Sequence, residues 1–499
     1  MKILKRICLL TLLVFAQSCA ELDVENTNAP DADRALASST DLISLVTGGM
    51  GDVFYGQTAN SGPNHMALQA DILTATNNAY GFWHVCDQPR RELVNSTGYP
   101  EYHIFDTPWT LNNTAVANLN LVINRIVKDE TIILNESGDD VSQQLLAWAY
   151  MTRGVALGST GMVFDRGYAA LEEVPATELV LVDFPEVIDA AVTSFDRAIE
   201  AANGASSFEL DFFGNIYSKD YFIALCNSYA ARYAASSARN SLQAANLDWA
   251  AILDYAEKGI TESFIPISDN SAIAAENISF IESPIASDAT YIPADQKIAW
   301  LFDPVNMPKN YPSDATVLDP PETDDARYDL YYFYSTNFGF LNASRNRSMF
   351  SNMNYNRYPE LRGNASYANT PVPLMYAAEM LYLRAEAEWY LGDNSTALGL
   401  INSGPRSTVG GLEDELCSTD DCLEHLLHYE YSIELAHSGM GIGWAYMRRH
   451  DLLQIGTPLH WAVPARELEV LGQEVYTYGS PIKADGVNTA DGSNSWTNN

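Results

Sequence analysis

The stretch that decides the fold is Ala385-Glu-Ala-Glu-Trp-Tyr-Leu-Gly-Asp393. Apolar residues recur about every 3.6 positions across 373–391 and again across 395–403, which predicts two helices. Asp393 supplies a start signal for the second helix. A helix, a short turn and a second helix of this kind look like the inner turn of a tetratricopeptide repeat. The stretch therefore predicts a helical pair.

Helical periodicity also covers most of the chain outside two long segments. Six further patterns predict helices at 112–128, 141–160, 185–203, 218–240, 247–260 and 424–437. Small residues at i, i+4 spacing, such as Gly154 and Gly158 or Ala230 and Ala234, let helices approach closely. These features predict a mainly α protein built on a tetratricopeptide-like helical-pair scaffold. Generic packing of Ala-rich helices is the alternative that the pattern leaves open.

Two segments, 60–111 and 261–370, interrupt the helical pattern with Asn, Gly, Pro, Asp and aromatic residues. Connections of that length seldom serve only to join two elements, and structured insertions usually contain functional residues. The chain is therefore predicted to form one domain at 41–485, in which the two irregular insertions contain minor β structure and form the ligand face. A polar tail follows at 486–499.

The N-terminus has the layout of a secretory signal. A basic head precedes a short apolar core at 7–15, and a small residue precedes Cys19. The core is too short to span a membrane as a permanent helix. The pattern resembles a bacterial lipobox and predicts a lipoprotein signal peptide at 1–18, lipidation of Cys19 and a tether at 19–40. Ordinary signal-peptidase cleavage beside an accidental cysteine is the alternative.

Charge limits the class of partner. The chain has 64 acidic and 28 basic side chains, a formal charge of −36. Cleavage after residue 18 removes three basic residues and no acidic one, which leaves 25 basic against 64 acidic and a charge of −39. Binding to nucleic acid or anionic lipid needs a basic face, so neither is predicted. Neutral ligands are favoured over polyanionic ones unless Arg345, Arg347 and Arg357 form a local basic pocket.

Cysteine and histidine spacing gives modest signals. Cys417 and Cys422 flank a polar turn, and an exported protein permits a disulfide there, with free thiols as the alternative. His425 and His428 stand at i, i+3, but no third metal ligand is specified. The acidic cluster within 314–329 lacks EF-hand spacing and is predicted to be a solvated loop. No cofactor is predicted, and Ca²⁺ at this cluster stays as the open alternative.

Standard catalytic signatures are missing from the sequence. It has no His-Glu-x-x-His, Walker loop, dinucleotide glycine fingerprint or nucleophile elbow, so no enzyme is predicted. Aromatic residues are more informative, because ten of them lie between Tyr328 and Tyr358 among asparagines and arginines. Flat rings offer apolar faces to sugar C–H bonds, and the polar residues satisfy hydroxyls. The same composition would serve a peptide, or the core of the insertion itself.

Several motifs of the C-terminal half are similar, in order, to those of the SusD/RagB family of outer-membrane nutrient-binding lipoproteins. They are Pro373-Leu-Met-Tyr-Ala-Ala-Glu-Met-Leu-Tyr-Leu-Arg-Ala-Glu-Ala387, Tyr429-Glu-Tyr-Ser-Ile-Glu434, Tyr446-Met-Arg-Arg449, Gly456-Thr-Pro-Leu-His-Trp-Ala-Val-Pro-Ala465 and Tyr476-Thr-Tyr-Gly479. The resemblance implies a SusD-like scaffold and lipid anchoring at the outer membrane, facing outward. It also implies a partner, a SusC-like TonB-dependent β-barrel transporter, over which the protein sits as a hinged lid.

The resemblance further implies a ligand, mostly an oligosaccharide and sometimes a peptide. Because the family's signature helices are scaffold, the ligand-binding residues are predicted from the composition of the insertions: Asp71, Tyr80, Trp83, Tyr291, Trp300, Tyr334 and Arg345. The predicted function is capture of an oligosaccharide, or another oligomeric nutrient, and its delivery to the transporter. A secreted α-helical glycosidase, which would release products, and a tetratricopeptide-type protein-interaction scaffold, which would bind peptide without the insertions, are the alternatives.

Overall fold

The structure is a computed structural model that describes residues 38–58, 62–87, 90–267, 292–308, 318–336, 351–359 and 371–479. Several predictions concern positions outside the described residues: the signal peptide at 1–18, Cys19, most of the tether at 19–40, Tyr291, Arg345, Arg347 and the tail at 486–499.

Helices make up most of the described chain. They are α1 (Ser39–Thr58), α2 (Pro63–Gln69), α3 (Trp83–Cys86), α4 (His103–Val127), α5 (Ser142–Val163), α6 (Phe184–Gly204), α7 (Lys219–Ala235), α8 (Ser241–Ala244), α9 (Trp249–Glu257), α10 (Gln296–Phe302), α11 (Arg327–Tyr331), α12 (Ala377–Tyr390), α13 (Asn394–Ser403), α14 (Pro405–Thr408), α15 (Asp420–Ile433), α16 (Ile442–Arg449) and α17 (Ala465–Val470). The strands form short antiparallel pairs: β1 (Arg166–Gly167) with β2 (Val182–Asp183), β3 (Glu209–Phe212) with β4 (Asn215–Ser218), and β5 (Tyr332–Tyr334) with β6 (Met353–Tyr355). The predicted fold class, mainly α with minor β, is confirmed.

The stretch that decides the fold forms the end of α12 and the turn into α13. Ala385 and Ala387 are fully buried, so their small side chains let neighbouring helices pack closely. Asp393 caps α13, because its Oδ1 accepts a hydrogen bond of 2.9 Å from the backbone N–H of Thr396. The predicted helical pair is confirmed.

Glycine permits the close packing of α5, α6 and α7. A Cβ atom at Gly154 would lie 2.7 Å from Cε1 of Phe195, which is too close for two carbon atoms. The ring of Tyr233 lies against Gly158 in the same way. Only glycine fits at both positions without movement of a buried ring, so the predicted role of the small residues is confirmed.

Helix α4 starts earlier than the periodicity predicts. It begins at His103 rather than at residue 112. Ile104, Phe105 and Trp109 are all buried and continue the apolar face of the helix. Residues 103–111, which the sequence analysis assigns to the first insertion, therefore belong to the scaffold.

Helix α1 is an element that the periodicity did not predict. Its residues Val46, Met50 and Val53 are fully buried, and Gly49 approaches Leu119 of α4 so closely that an added Cβ would lie 3.5 Å from Cδ2. Three glycines between residues 48 and 51 interrupt the apolar pattern of this helix. The scaffold thus begins at Ser39, at the end of the predicted tether.

Buried ion pairs connect the second insertion to the C-terminal helices. The side chain of Arg327 is 0% exposed and lies 2.8 Å from Asp325 and 2.7 Å from Glu430. A buried charge is costly unless it is paired, so these residues must stay together. Asp319, Glu322, Asp324 and Asp329 are exposed, as predicted for a solvated acidic loop. Asp325 is the exception within the described residues, because it is buried against Arg327 and is not available to a cation.

Cys417 and Cys422 form a disulfide, with their Cα atoms 6.3 Å apart. Cys417 precedes α15, and Cys422 lies in its first turn. Cys226 is buried in α7, as predicted for a core residue. Over the described part of the chain, no helix combines the length and the hydropathy needed to cross a bilayer.

Candidate functional site

The two insertions meet through backbone hydrogen bonds. Leu73 of the first insertion bridges Ala294 of the second. Around this bridge, the N–H of Thr74 donates to the carbonyl of Pro293 at 2.9 Å, and the N–H of Asp295 donates to that of Ile72 at 3.0 Å. Segments more than two hundred positions apart in the sequence are therefore held side by side.

The ladder continues across the second insertion. The N–H of Ala294 donates to the carbonyl of Met353 at 2.9 Å, and Met353 in β6 pairs with Tyr334 in β5. Four chain segments thus lie next to one another. At about 4.8 Å between neighbouring strands, the ladder is roughly 14 Å wide.

A strained turn at one side of the ladder exposes an aromatic ring. Tyr80 and Gly81 both adopt left-handed backbone conformations, with φ of 52° and 69°. Such a conformation costs a non-glycine residue about 1 kcal/mol. His65 stabilises the turn, because its Nε2 lies 2.8 Å from the carbonyl oxygen of Tyr80. The side chain of Tyr80 remains 40% exposed. Strain held in place by neighbouring residues is typical of functional sites.

Trp83 fixes this turn to the ladder. Its indole Nε1–H donates to the carbonyl of Ala75 at 3.2 Å, and its backbone N–H donates to Oδ1 of Asn78 at 3.0 Å. Trp83 is half-buried, so part of its side chain is exposed. It follows Tyr80 by three positions in the sequence. The structure therefore brings these two predicted residues into one turn.

Next to Trp83, His84 contacts a tyrosine that the sequence analysis did not select. The Oη of Tyr99 lies 2.5 Å from Nδ1 of His84, and the two rings stack with centroids 5.1 Å apart. Burial lowers the pKa of His84 below its usual 6.5; nearby Arg91 lowers it further and Glu101 opposes this. Burial and the charge of Glu101 raise the pKa of Tyr99 to about 12. His84 is therefore neutral and Tyr99 protonated at neutral pH.

Tyr334 and Trp300 lie on the second insertion. Tyr334 is half-buried at the end of β5, where its hydroxyl donates to the carbonyl of Leu318 at 2.6 Å. Trp300 is half-buried on α10, and its ring meets the ring of exposed His425 edge to face at 6.4 Å. The ladder joins Tyr334 to the first insertion through Met353 and Ala294. Trp300 lies five positions after the ladder residue Asp295.

The prediction that Asp71 binds the ligand is wrong, because this residue is buried. It is 1% exposed, and its Oδ1 lies 2.7 Å from the guanidinium of Arg90. Arg90 also donates to the carbonyls of Gln69 and Val85, at 3.2 and 3.3 Å. The pair ties α2 to α3 from inside, so Asp71 supports the site and does not face a ligand.

Arg357 does not contribute to the basic pocket that the sequence left open. Arg357 is mostly buried and donates to a carboxylate oxygen of Glu434 at 2.6 Å. Its guanidinium stacks 4.2 Å from the ring centroid of Tyr331 and 3.9 Å from that of Tyr376. A charge engaged in this way stabilises the protein interior and is not offered to an anionic ligand.

Metal ligation has no support in the described residues, because no group of three or more His, Cys, Asp or Glu side chains converges there. His428 is buried, and burial lowers its pKa well below 6.5. His425, by contrast, is exposed beside Trp300.

No protein-family model matches the chain, and no curated protein matches its sequence. Solved structures do match over most of its length. A SusD superfamily protein from Parabacteroides distasonis is 13% identical, with a TM-score of 0.59 over 87% of this chain and 98% of that one. A SusD homolog from Bacteroides thetaiotaomicron is 12% identical, with a TM-score of 0.57 over 87% and 96%. A SusD-like carbohydrate binding protein from Bacteroides vulgatus is 15% identical, with a TM-score of 0.53 over 85% and 84%.

The chain has the SusD-like fold, and the resemblance seen in its sequence is confirmed at the level of fold. These identities are too low for a residue's role to be transferred from one protein to another.

Proposed function

We propose that this protein is a cell-surface lipoprotein that captures an oligosaccharide, or another oligomeric nutrient, and delivers it to a SusC-like TonB-dependent transporter. It acts as a lid over that transporter and is held at the outer membrane by lipid on Cys19. It binds its ligand without chemical conversion.

The observation that carries this proposal is the fold match over 85% of the chain to a structure named as a SusD-like carbohydrate binding protein. A second matching structure, also from Bacteroides vulgatus, is named as a putative sugar binding protein. The fold does not locate a binding site. The two insertions support the choice of face proposed here, because their backbones are joined at Leu73 and Ala294 and both insertions carry partly exposed aromatic rings.

The proposed binding face comprises the turn around Tyr80 and Trp83 together with Tyr334 and Trp300 of the second insertion. Tyr291 and Arg345 stay as predictions on that insertion. A sugar ring packs its C–H face on the exposed ring of Tyr80, because aromatic faces accept apolar contact. Exposed polar side chains of the two insertions then orient the hydroxyls.

The charge of the chain sets the kind of oligosaccharide. At −39 after removal of residues 1–18, the protein repels polyanions. Arg357 is committed to Glu434. Neutral oligosaccharides are therefore the preferred ligands, ahead of sulfated or uronic-acid-rich chains. Arg345 and Arg347 lie outside the described residues.

Capture is tested with the chain from residue 20 onward on an array of neutral and anionic oligosaccharides. We expect retention of at least one neutral oligosaccharide, recovered intact. Release of shorter products would identify a glycosidase instead. Binding of peptides instead of oligosaccharides, at an affinity that Tyr80→Asn leaves unchanged, would favour an interaction scaffold.

Anchoring and partnership are tested with the full chain. The wild type should incorporate labelled palmitate and co-purify from outer membranes with a TonB-dependent barrel. The Cys19→Ser variant should lose the label and the membrane association. Labelling that persists in this variant would contradict lipidation at Cys19.

A further inference from the structure

We propose that His84 donates a hydrogen bond from Nε2–H to a hydroxyl of the captured ligand, and that Tyr99 is the positioning residue that holds the imidazole in this tautomer. The inference rests on the proposed function and adds a specificity-determining pair to it. Neither residue is among the ligand-binding residues predicted from the sequence.

The first step concerns the direction of the short hydrogen bond. The Oη of Tyr99 lies 2.5 Å from Nδ1 of His84. The phenol keeps its proton at neutral pH, because the pKa of Tyr99 is raised to about 12. Burial and Arg91 lower the pKa of His84, so the imidazole is neutral and carries one N–H. The hydroxyl therefore donates to Nδ1, and the proton of the imidazole resides on Nε2.

The second step concerns the space that lets Tyr99 reach His84. Gly81 has a φ of 69°, and a Cβ atom there would lie 2.9 Å from Tyr99 Oη and 2.9 Å from Glu101 Cγ. The turn therefore needs glycine both for its backbone conformation and for the approach of the phenol. Stacking of the His84 and Tyr99 rings, at an interplanar angle of 28°, limits rotation of the imidazole. The donor is held in one orientation before a ligand arrives.

The third step concerns the ligand that such a donor selects. His84 directly follows Trp83, and Tyr80 on the same turn exposes 40% of its surface. An uncharged N–H beside aromatic rings suits a sugar hydroxyl that accepts a hydrogen bond while its ring packs on an aromatic face. A neutral donor gives no extra attraction for a carboxylate or sulfate, in line with the net charge of the chain. The pair thus favours neutral oligosaccharides with a hydroxyl acceptor next to the stacked ring.

The tautomer is tested without a ligand. In ¹⁵N NMR spectra of the protein with labelled histidine, Nδ1 of His84 should have the shift of an unprotonated ring nitrogen and Nε2 that of an N–H. In Tyr99→Phe, which keeps the stacked ring and removes the hydroxyl, the two nitrogens should give averaged shifts. A proton found on Nδ1 in the wild type would overturn the inference.

The donor is tested by affinity for a named panel: cello-, xylo-, malto- and laminarihexaose. For any hexasaccharide that the wild type binds, His84→Gln should keep most of the affinity, since its amide N–H reaches the position of Nε2. His84→Asn, whose amide lies near Nδ1, should bind about tenfold more weakly, as expected for one lost hydrogen bond. Tyr99→Phe should fall between the two. His103→Gln, a change at a partly exposed histidine nearby, and Tyr255→Phe, which loses a hydrogen bond to Asp196 on the scaffold, serve as controls.

The outcomes separate this inference from the proposed function. Equal affinities for wild type, His84→Gln and His84→Asn would overturn the role of His84 and leave oligosaccharide capture intact. If the wild type binds no oligosaccharide at all, capture itself fails. The ligand role of His84 then fails with it, and the NMR measurement still decides whether Tyr99 fixes the tautomer.

Discussion

Glu386 on α12 accepts hydrogen bonds from Arg449 on α16 through both carboxylate oxygens, each 2.6 Å from a guanidinium nitrogen. His450 adds a contact of 2.9 Å to Oε1. Burial alone would raise the pKa of Glu386, but Arg449 and His450 outweigh it and lower the pKa to about 2. One buried carboxylate thus contacts two neighbouring bases between the two helices and compensates the charge of Arg449.

Glu386→Gln should destabilise the protein by about 3–5 kcal/mol, because it leaves the Arg449 charge buried and uncompensated. Urea denaturation followed by circular dichroism measures the loss. Glu388→Gln, two positions along the same helix and partly exposed, is the matched control and should change the free energy of unfolding by less than about 0.5 kcal/mol. Equal effects of the two substitutions would contradict a structural role for the buried pair.

Two glycine-to-alanine substitutions should have opposite effects. Gly154→Ala places a methyl group 2.7 Å from the ring of Phe195 and should cost about 1–3 kcal/mol through overpacking. Gly399 lies in α13 with no atom within 4 Å of its added Cβ, so Gly399→Ala should stabilise the protein by up to about 1 kcal/mol. Thermal unfolding of both variants gives the signs, and a stable Gly154→Ala would disprove the tight contact of α5 with α6.

The scaffold could be predicted from the sequence because its signals are local. Phe195 and Ala198 stand at helical spacing, and Asp393 lies directly before the helix that it caps. The periodicity predicts the start of α4 at residue 112 instead of His103. Pro108 and the polar residues around it interrupt the apolar pattern to which Phe105 and Trp109 belong.

The site was harder to predict because its determinants are not local. Asp71 is of a residue type that often binds sugar hydroxyls. Its ion-pair partner Arg90 lies 19 positions away, so the sequence does not show that the carboxylate is already paired inside the protein. Arg357 is paired with Glu434, 77 positions away. Periodicity does not report such pairs. Gly81 next to an aromatic residue hints at a turn, but its φ and its contact with Tyr99 follow only from the folded structure.

Acid should destabilise the protein partly through His437. Burial, with a smaller contribution from Arg357, lowers the pKa of this histidine to about 3. Between pH 6.5 and pH 3 the unfolded chain binds a proton at this position and the folded protein does not, so the free energy of unfolding falls as the pH falls. The contribution of this residue is up to about 1.4 kcal/mol per pH unit.

The substitution His437→Asn should remove that contribution. Asparagine tolerates the left-handed backbone of this position, where φ is 58°. Urea denaturation at pH 6.5, 5.5 and 4.5 should show a shallower loss of stability for this variant than for the wild type. His103→Asn, at a side chain that is 41% exposed, is the control and should follow the wild type. Identical pH slopes for wild type and His437→Asn would contradict a neutral buried His437.

Tyr80→Asn should separate binding from stability. Asparagine accepts a φ of 52° more readily than tyrosine does, so the variant should be as stable as the wild type or slightly more so. It removes the exposed ring, so its affinity for a neutral hexasaccharide should fall about three- to tenfold, the value of one aromatic contact of roughly 0.5–1.5 kcal/mol. Isothermal titration and thermal unfolding measure the two effects.

Phe213→Asn provides a matched control for that experiment. Phe213 is also an aromatic residue with positive φ, 51°, but it lies in the turn between β3 and β4 and packs on Phe212 at 4.8 Å. Its substitution makes the same chemical change outside the proposed binding face, so the affinity should be unchanged. If both variants lose affinity equally, the effect comes from the scaffold and not from contact with Tyr80. If neither does, the ring of Tyr80 is exposed for a reason other than capture of a sugar.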